Sequence, residues 1–165
     1  MRVPIRKPGK YTHDKPDLHL TLEKLNELKL KLDRLKKQQP ALAEEVHRLA
    51  QLGDLSENAG YQIAKGRLRG VNDQITQLED RINRAVIISP QSGSVVVQLG
   101  SQVTVEIDGQ RQTFTILGSA ETDPSKGIIS HNSPIGSALI DSQVGETVIV
   151  KIKDQDFAYK IVEIS

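Results

Sequence analysis

Cysteine is missing from this sequence altogether. Its absence excludes disulfides and cysteine-ligated zinc as the means of holding the fold together, and it suits a reducing cytoplasm. Tryptophan is also absent, and three tyrosines and two phenylalanines are the only large aromatics, too few for an independent platform on which single-stranded bases could stack. No apolar run is long enough to span a membrane, and the basic N-terminus lacks the apolar segment of a secretory signal. The expectation is a cytoplasmic protein with no membrane partner. A net charge of +1 conceals an uneven distribution. Residues 1–52 carry twelve Lys or Arg against seven Asp or Glu, whereas residues 91–165 carry five against nine. A basic N-terminal half beside a mildly acidic C-terminal half suits docking near nucleic acid or a nucleoprotein machine.

What the chain does contain begins with a heptad register. Leu25, Leu32 and Val46 occupy one seam position, and Leu28, Leu35, Leu42 and Leu49 the other, with Gln39 the only break. The same spacing resumes in Tyr61, Ala64, Leu68, Val71, Ile75, Leu78, Ile82 and Ala85. Two helices, each with one apolar stripe, bury those stripes against each other as an antiparallel coiled-coil hairpin over residues 18–89. A first helix from about Leu18 to Leu52 would be on the order of 50 Å long, more reach than a compact domain of this size needs. Pro40 predicts a local irregularity but no reversal, because the register continues across it without a phase change.

The turn between the helices, Gly53 to Tyr61, carries two carboxylates, Asp54 and Glu57. Their spacing has a structural explanation, a capping box with Asp54 as N-cap and Glu57 at the third helical position. It also has a chemical one. The pair stands at the far end of a long hairpin, residues at i and i+3 share a helix face on which both carboxylates can converge on one ion or water, and the basic residues Lys65, Arg67 and Arg69 follow closely. His13, His19, His47 and His131 are scattered and have no spacing that suggests ligation.

From Val95 onward the period changes to alternation. Val103, Val105 and Ile107 lead to Asp108-Gly109, a favoured two-residue hairpin turn, and Phe114 and Ile116 return. Further strands follow at Val148 to Ile152 and at Phe157 to Ile161, and Ser133-Pro134 opens a short helix through about Ile140. The predicted fold class is therefore α+β: a basic extension without periodicity over 1–17, the hairpin over 18–89, a linker over 90–94, and a small antiparallel α+β domain over 95–165.

Several of these segments together resemble the Gre family of bacterial transcript cleavage factors. They are the tip from Gly53 to Tyr61, the cluster Lys65, Arg67, Leu68, Arg69, Pro40 fourteen residues before Asp54, and the run Ile129, Ser130, Asn132, Ser133, Pro134 followed by Ala138 and Leu139. The basic cluster after the tip leans the resemblance toward the GreB branch. The family implies a monomer whose coiled coil enters the secondary channel of bacterial RNA polymerase, with an FKBP-like domain docked at the channel rim. It implies stimulated cleavage of the backtracked nascent RNA 3′ end by the polymerase's own active site, so that the factor is not itself an enzyme. On this resemblance Asp54 lends a ligand to a Mg2+ shared with the polymerase, and Glu57 orients or deprotonates the attacking water. Ser56, Asn58 and Tyr61 support the tip, Lys65, Arg67 and Arg69 hold RNA phosphates, and Ser133, Pro134 and Ile135 dock on the polymerase. The alternative on the same fold is a regulator that occupies the channel without promoting cleavage. A prolyl isomerase would need an aromatic-lined pocket that Phe114, Phe157 and Tyr159 barely furnish, and a client-binding chaperone hairpin would need an apolar tip. Gly60 departs from the family, which often has an acidic residue there, and with Gly66 and Gly70 it softens the second helix.

Overall fold

The computed structural model describes residues 17–52, 58–89, 94–152 and 155–165. The expected extension over residues 1–16, most of the tip (Gly53 to Glu57) and the linker from Pro90 to Gly93 lie outside the described residues.

The chain enters through a two-residue strand, β1 (His19–Leu20), then forms helix α1 (Leu22–Ala50) and helix α2 (Ala59–Asn83), and closes the hairpin with β2 (Val86–Ile87). β1 and β2 pair in parallel, with Val86 N–H donating to Leu18 O and Ile88 N–H to Leu20 O. This pairing moves the expected helix start from Leu18 to Leu22. Residues 18–20 spend their backbone groups on a strand, and Thr21 becomes the N-cap, its Oγ1 accepting from Lys24 N–H at 3.1 Å. α1 passes through Pro40 as one helix. Pro40 and Lys36, whose carbonyl loses its helical donor, are both exposed, so water can take that bond.

The seam forms in the predicted register, with Leu28, Ala64, Ile75 and Leu78 buried and the other seam positions half-buried. Gln39, the odd residue in the heptads, is accommodated by a partner on the facing helix, its Nε2 donating to Asn72 Oδ1 at 2.8 Å. Lys36 Nζ reaches Glu79 Oε1 at 2.7 Å and adds a second polar tie between the helices. No helix among the described residues is long and apolar enough to cross a membrane.

The second unit is a five-stranded sheet built from β3 (Gln102–Ile107), β4 (Gln110–Leu117), β5 (Ile128–Ser130), β6 (Thr147–Ile152) and β7 (Gln155–Ile164), in the order β5-β4-β3-β7-β6. Asp108 and Gly109 both take positive φ, 49° and 76°, which gives the turn a twist that matches the paired strands. The sheet is mixed rather than wholly antiparallel, because β5 runs parallel to β4 after a crossover through two 3₁₀ turns, Ser119–Glu121 and Pro124–Lys126. A register shift at Thr104/Val105 opposite β7 curls it. Helix α3 (Pro134–Leu139) packs against the two edge strands, β5 and β6, and the core is formed by Val97, Val103, Val105, Ile116, Leu139 and Ile161, each fully buried. Gly136 lets α3 approach β5, since a Cβ there would collide with the Ser130 carbonyl oxygen.

The hairpin root is clamped to this unit. Thr21 donates twice to Glu121, from N–H to Oε1 at 2.7 Å and from Oγ1 to Oε2 at 2.6 Å, while Ser119 N–H donates to Asp17 Oδ2 at 2.6 Å. Gly118 allows the backbones to meet, because a Cβ at that position would strike the His19 carbonyl oxygen. Asp17, the last residue of the expected extension, is thus a fixed part of the junction.

Candidate functional site

The distal end of the hairpin is built from its caps upward. α1 ends at Ala50, and the Gln51 N–H still donates to His47 O at 3.3 Å. Arg48 places positive charge in its last turn, where the helix dipole favours it. α2 begins at Ala59 with Asn58 as N-cap, whose Oδ1 accepts from Tyr61 N–H at 3.0 Å. The capping-box explanation, which needed the helix to start at Asp54, is overturned, because the orphan donor is satisfied by Asn58 four residues later. Neither carboxylate is required for the cap, and the first turn of α2 holds no acidic residue of its own. Asp54, Ser56 and Glu57 themselves lie outside the described residues.

Tyr61 sits in the seam, half-buried, with Lys65 Nζ 5.7 Å from its ring centroid, a cation–π contact that helps hold the exposed lysine near the tip. The three basic residues do not form one patch. Lys65 and Arg69, four residues apart, share a flank of α2, whereas Arg67, two from each, lies across the helix. All three are exposed, and Arg69 reaches Asp73 only at 3.9 Å, with both side chains mostly in solvent, too weak a pair to withdraw its charge. Large apolar side chains are also left in water at this end, Leu52 at 68% exposure and Ile63 at 56%.

On the second unit, the expected docking residues divide by role. Ser133 is the N-cap of α3, donating from Oγ to Ser130 O at 2.6 Å and accepting from Gly136 N–H at 3.0 Å. Ile135 is half-buried against the core, and Pro134 is exposed. Of the three, only Pro134 is exposed.

The sequence reading missed the junction. His19 and His131, read as scattered, meet there edge to face, with centroids 5.5 Å apart and planes at 82°, on either side of Asp17. No local signal marks this, because Asp17 and Ser119 are separated by 102 positions. His47, by contrast, is exposed and touches Gln51, and His13 lies outside the described residues.

Comparison with known proteins covers both units. Residues 18–87 match the family described as "Transcription elongation factor, N-terminal", and residues 91–165 match "Transcription elongation factor, GreA/GreB, C-term". Transcription elongation factor GreA of Bacillus subtilis is 40% identical over 149 residues, covering 88% of this chain and 95% of that protein. The GreA of Thermomicrobium roseum is 35% identical over 148 residues, with the same shares covered. Among solved structures, GreA factor homolog 1 of Thermus thermophilus is 27% identical and covers 90% of this chain and 99% of its own, with a TM-score of 0.42, a superposition too loose to bear on geometry. Matched in both halves and along nearly the full length of its relatives, the chain belongs to the GreA/GreB family of transcription elongation factors.

Proposed function

We propose that this chain inserts its hairpin into the secondary channel of bacterial RNA polymerase and stimulates cleavage of backtracked RNA, with Asp54 and Glu57 as the working groups. The observation that carries this is the hairpin itself. Two helices of 29 and 25 residues extend about 40 Å from the junction at 1.5 Å per residue, and the segment joining them carries both carboxylates while Asn58 supplies the cap. The reading treats residues 95–165 as the docking domain, with Pro134 in the contact, and the exposed Leu52 and Ile63 as apolar contacts behind the tip.

The donor set suits magnesium. Asp54 and Glu57 offer hard carboxylate oxygens, which that ion prefers, whereas the three-residue cluster of possible ligands among the described residues, Asp17, His19 and His131, is rich in imidazole. Magnesium held chiefly by the polymerase would supply charge stabilisation at the leaving oxygen and activation of water. Asp54 would help hold that ion through a carboxylate oxygen, and Glu57 would orient the water and accept its proton. Two carboxylates cannot organise such a site alone, so the factor is not an enzyme by itself. Lys65 and Arg69, on one flank, follow the extruded RNA, and Arg67 contributes less. The basic cluster had pointed to the GreB branch. The relatives bear the GreA name, and Arg67 faces away from the other two, so we place the chain on the GreA side.

Cleavage of stalled, backtracked complexes tests this reading. Asp54→Ala and Glu57→Ala should each reduce stimulated cleavage by about 10²-fold, the usual size for loss of a proton-transfer or positioning group, while competition binding to polymerase stays near normal. Near-wild-type cleavage by either variant refutes the assigned roles, and binding without any cleavage by the native chain supports the inhibitory alternative. Lys65→Glu with Arg69→Glu should weaken crosslinking to the RNA 3′ end more than Arg67→Glu does.

A further inference from the structure

The junction between hairpin and sheet holds a group of side chains that the cleavage reading does not use. Asp17 has only 8% of its side chain exposed. His19 Nδ1 stands 3.0 Å from Asp17 Oδ1, and His131 Nδ1 stands 3.6 Å from Asp17 Oδ2. The ligand atoms of the three residues all lie within 4.8 Å of one another. We propose that Asp17, His19 and His131 form a binding site for a late first-row divalent cation such as zinc, which ties the hairpin root to the C-terminal unit.

Distances, donor chemistry and access each support it. Zinc bound at about 2.0–2.1 Å in tetrahedral geometry separates its ligands by about 3.3–3.4 Å, a separation that the two nitrogen–oxygen distances, 3.0 and 3.6 Å, bracket within about 0.4 Å. The second contact is too long for a good hydrogen bond, and the His131 Nδ1 alternative, Leu117 O at 3.4 Å, is hardly better. His131 is therefore held beside a buried carboxylate without a strong bond to it. Two imidazoles and one carboxylate are a donor set that favours zinc, cobalt, nickel or copper over magnesium. Both rings would bind through Nδ1 with the proton on Nε2, and water would complete the fourth position. Burial pushes the Asp17 carboxyl up, but hydrogen bonds from Ser119 and His19 more than offset this and bring its pKa down to about 2. His19, with 42% of its side chain exposed, gives the site its access to solvent, and a cleft of about 430 Å³ lies beside it, touching Asp17 but neither histidine. Because Asp17 and His19 belong to the hairpin root and His131 follows β5, the ion would bridge the two units and stiffen the angle at which the hairpin leaves the sheet.

Calorimetric titration of the full-length protein with zinc, without magnesium, tests the site. The expected result is saturable binding of one equivalent and a rise in thermal midpoint. His131→Gln and His19→Gln should each weaken binding at least tenfold, and His47→Gln should leave it unchanged. Cobalt(II) should give the visible absorption of a tetrahedral centre in the native protein, and His131→Gln should lose it. Circular dichroism of the metal-free variants establishes that they fold, and His19→Gln, at a partly exposed position, is the second variant should His131→Gln not. Failure of zinc to bind in a one-to-one ratio, or binding unaltered in a folded His131 or His19 variant, overturns the proposal. Neither result depends on polymerase or cleavage, so the site stands or falls apart from the proposed function.

Discussion

The hairpin and the sheet unit stabilise themselves in opposite ways. α1 contains a single buried residue, Leu28, in 29 positions, and α2 contains three, Ala64, Ile75 and Leu78, in 25. The sheet unit encloses six aliphatic side chains completely. The cause is geometric. A helix with one neighbour can cover only one stripe, so its seam residues remain half-exposed, whereas a curled sheet closed by a helix surrounds side chains on every side. The hairpin exchanges burial for reach and spreads its stability along many partial contacts, while the sheet unit concentrates its own in a few residues. Under the proposed function the hairpin is the part that reaches and the sheet unit the part that holds, and the two patterns of burial suit those roles.

Substitutions can break or sharpen this contrast. The largest effect is expected in the sheet core. Leu139→Ala, at a fully buried position, should destabilise the protein by about 2–5 kcal/mol, the cost of lost transfer energy plus a cavity. Chemical denaturation followed by near-ultraviolet signals from the tyrosines would measure it. Leu35→Ala in the half-buried seam should cost less, about 1–2 kcal/mol, because part of the side chain already meets water. Equal losses in the two variants would contradict the contrast. Gly66→Ala and Gly70→Ala should move the hairpin the other way. A Cβ at either position meets nothing within 4 Å, so each should stabilise α2 by about 0.5–1 kcal/mol through helix propensity, seen as slower amide exchange along α2. The smallest effect belongs to Lys36→Met, which removes the tie to Glu79. With both side chains more than 40% exposed, the loss should be about 0.2–1 kcal/mol and should shrink with added salt. A larger, salt-insensitive loss would mean that the seam depends on its polar ties more than on its apolar stripe.

Chemistry at the tip was legible as residue types and only partly as geometry. Asp54 and Glu57 stand out because two carboxylates at a turn between apolar stripes are conspicuous in any register. Their cap did not stand out. Asp54 and Asn58 are both good N-cap residues, and sequence alone does not decide which of two candidates four residues apart starts the helix. The basic trio is close in sequence without sharing one face of α2. Residues two apart on a helix point away from each other.

Amino-acid order by itself determined whatever depends on short spacings. The seam from Leu25 to Ala85, the Asp108-Gly109 turn, the Ser133 cap with Pro134 behind it, and the strands around Val105 and Tyr159 all follow from periods of 2 and 3.6 and from residues that fix local φ and ψ. Tertiary structure alone decided the parallel pairing of β1 with β2 and of β4 with β5, and the clamp of Thr21 on Glu121. It also decided the meeting of His19 and His131 over Asp17. These contacts join positions up to 114 residues apart, Asp17 and His131 being the farthest, and no local pattern encodes them. They form because two separately patterned units, once folded, leave buried backbone donors and carboxylates that must find partners across the junction.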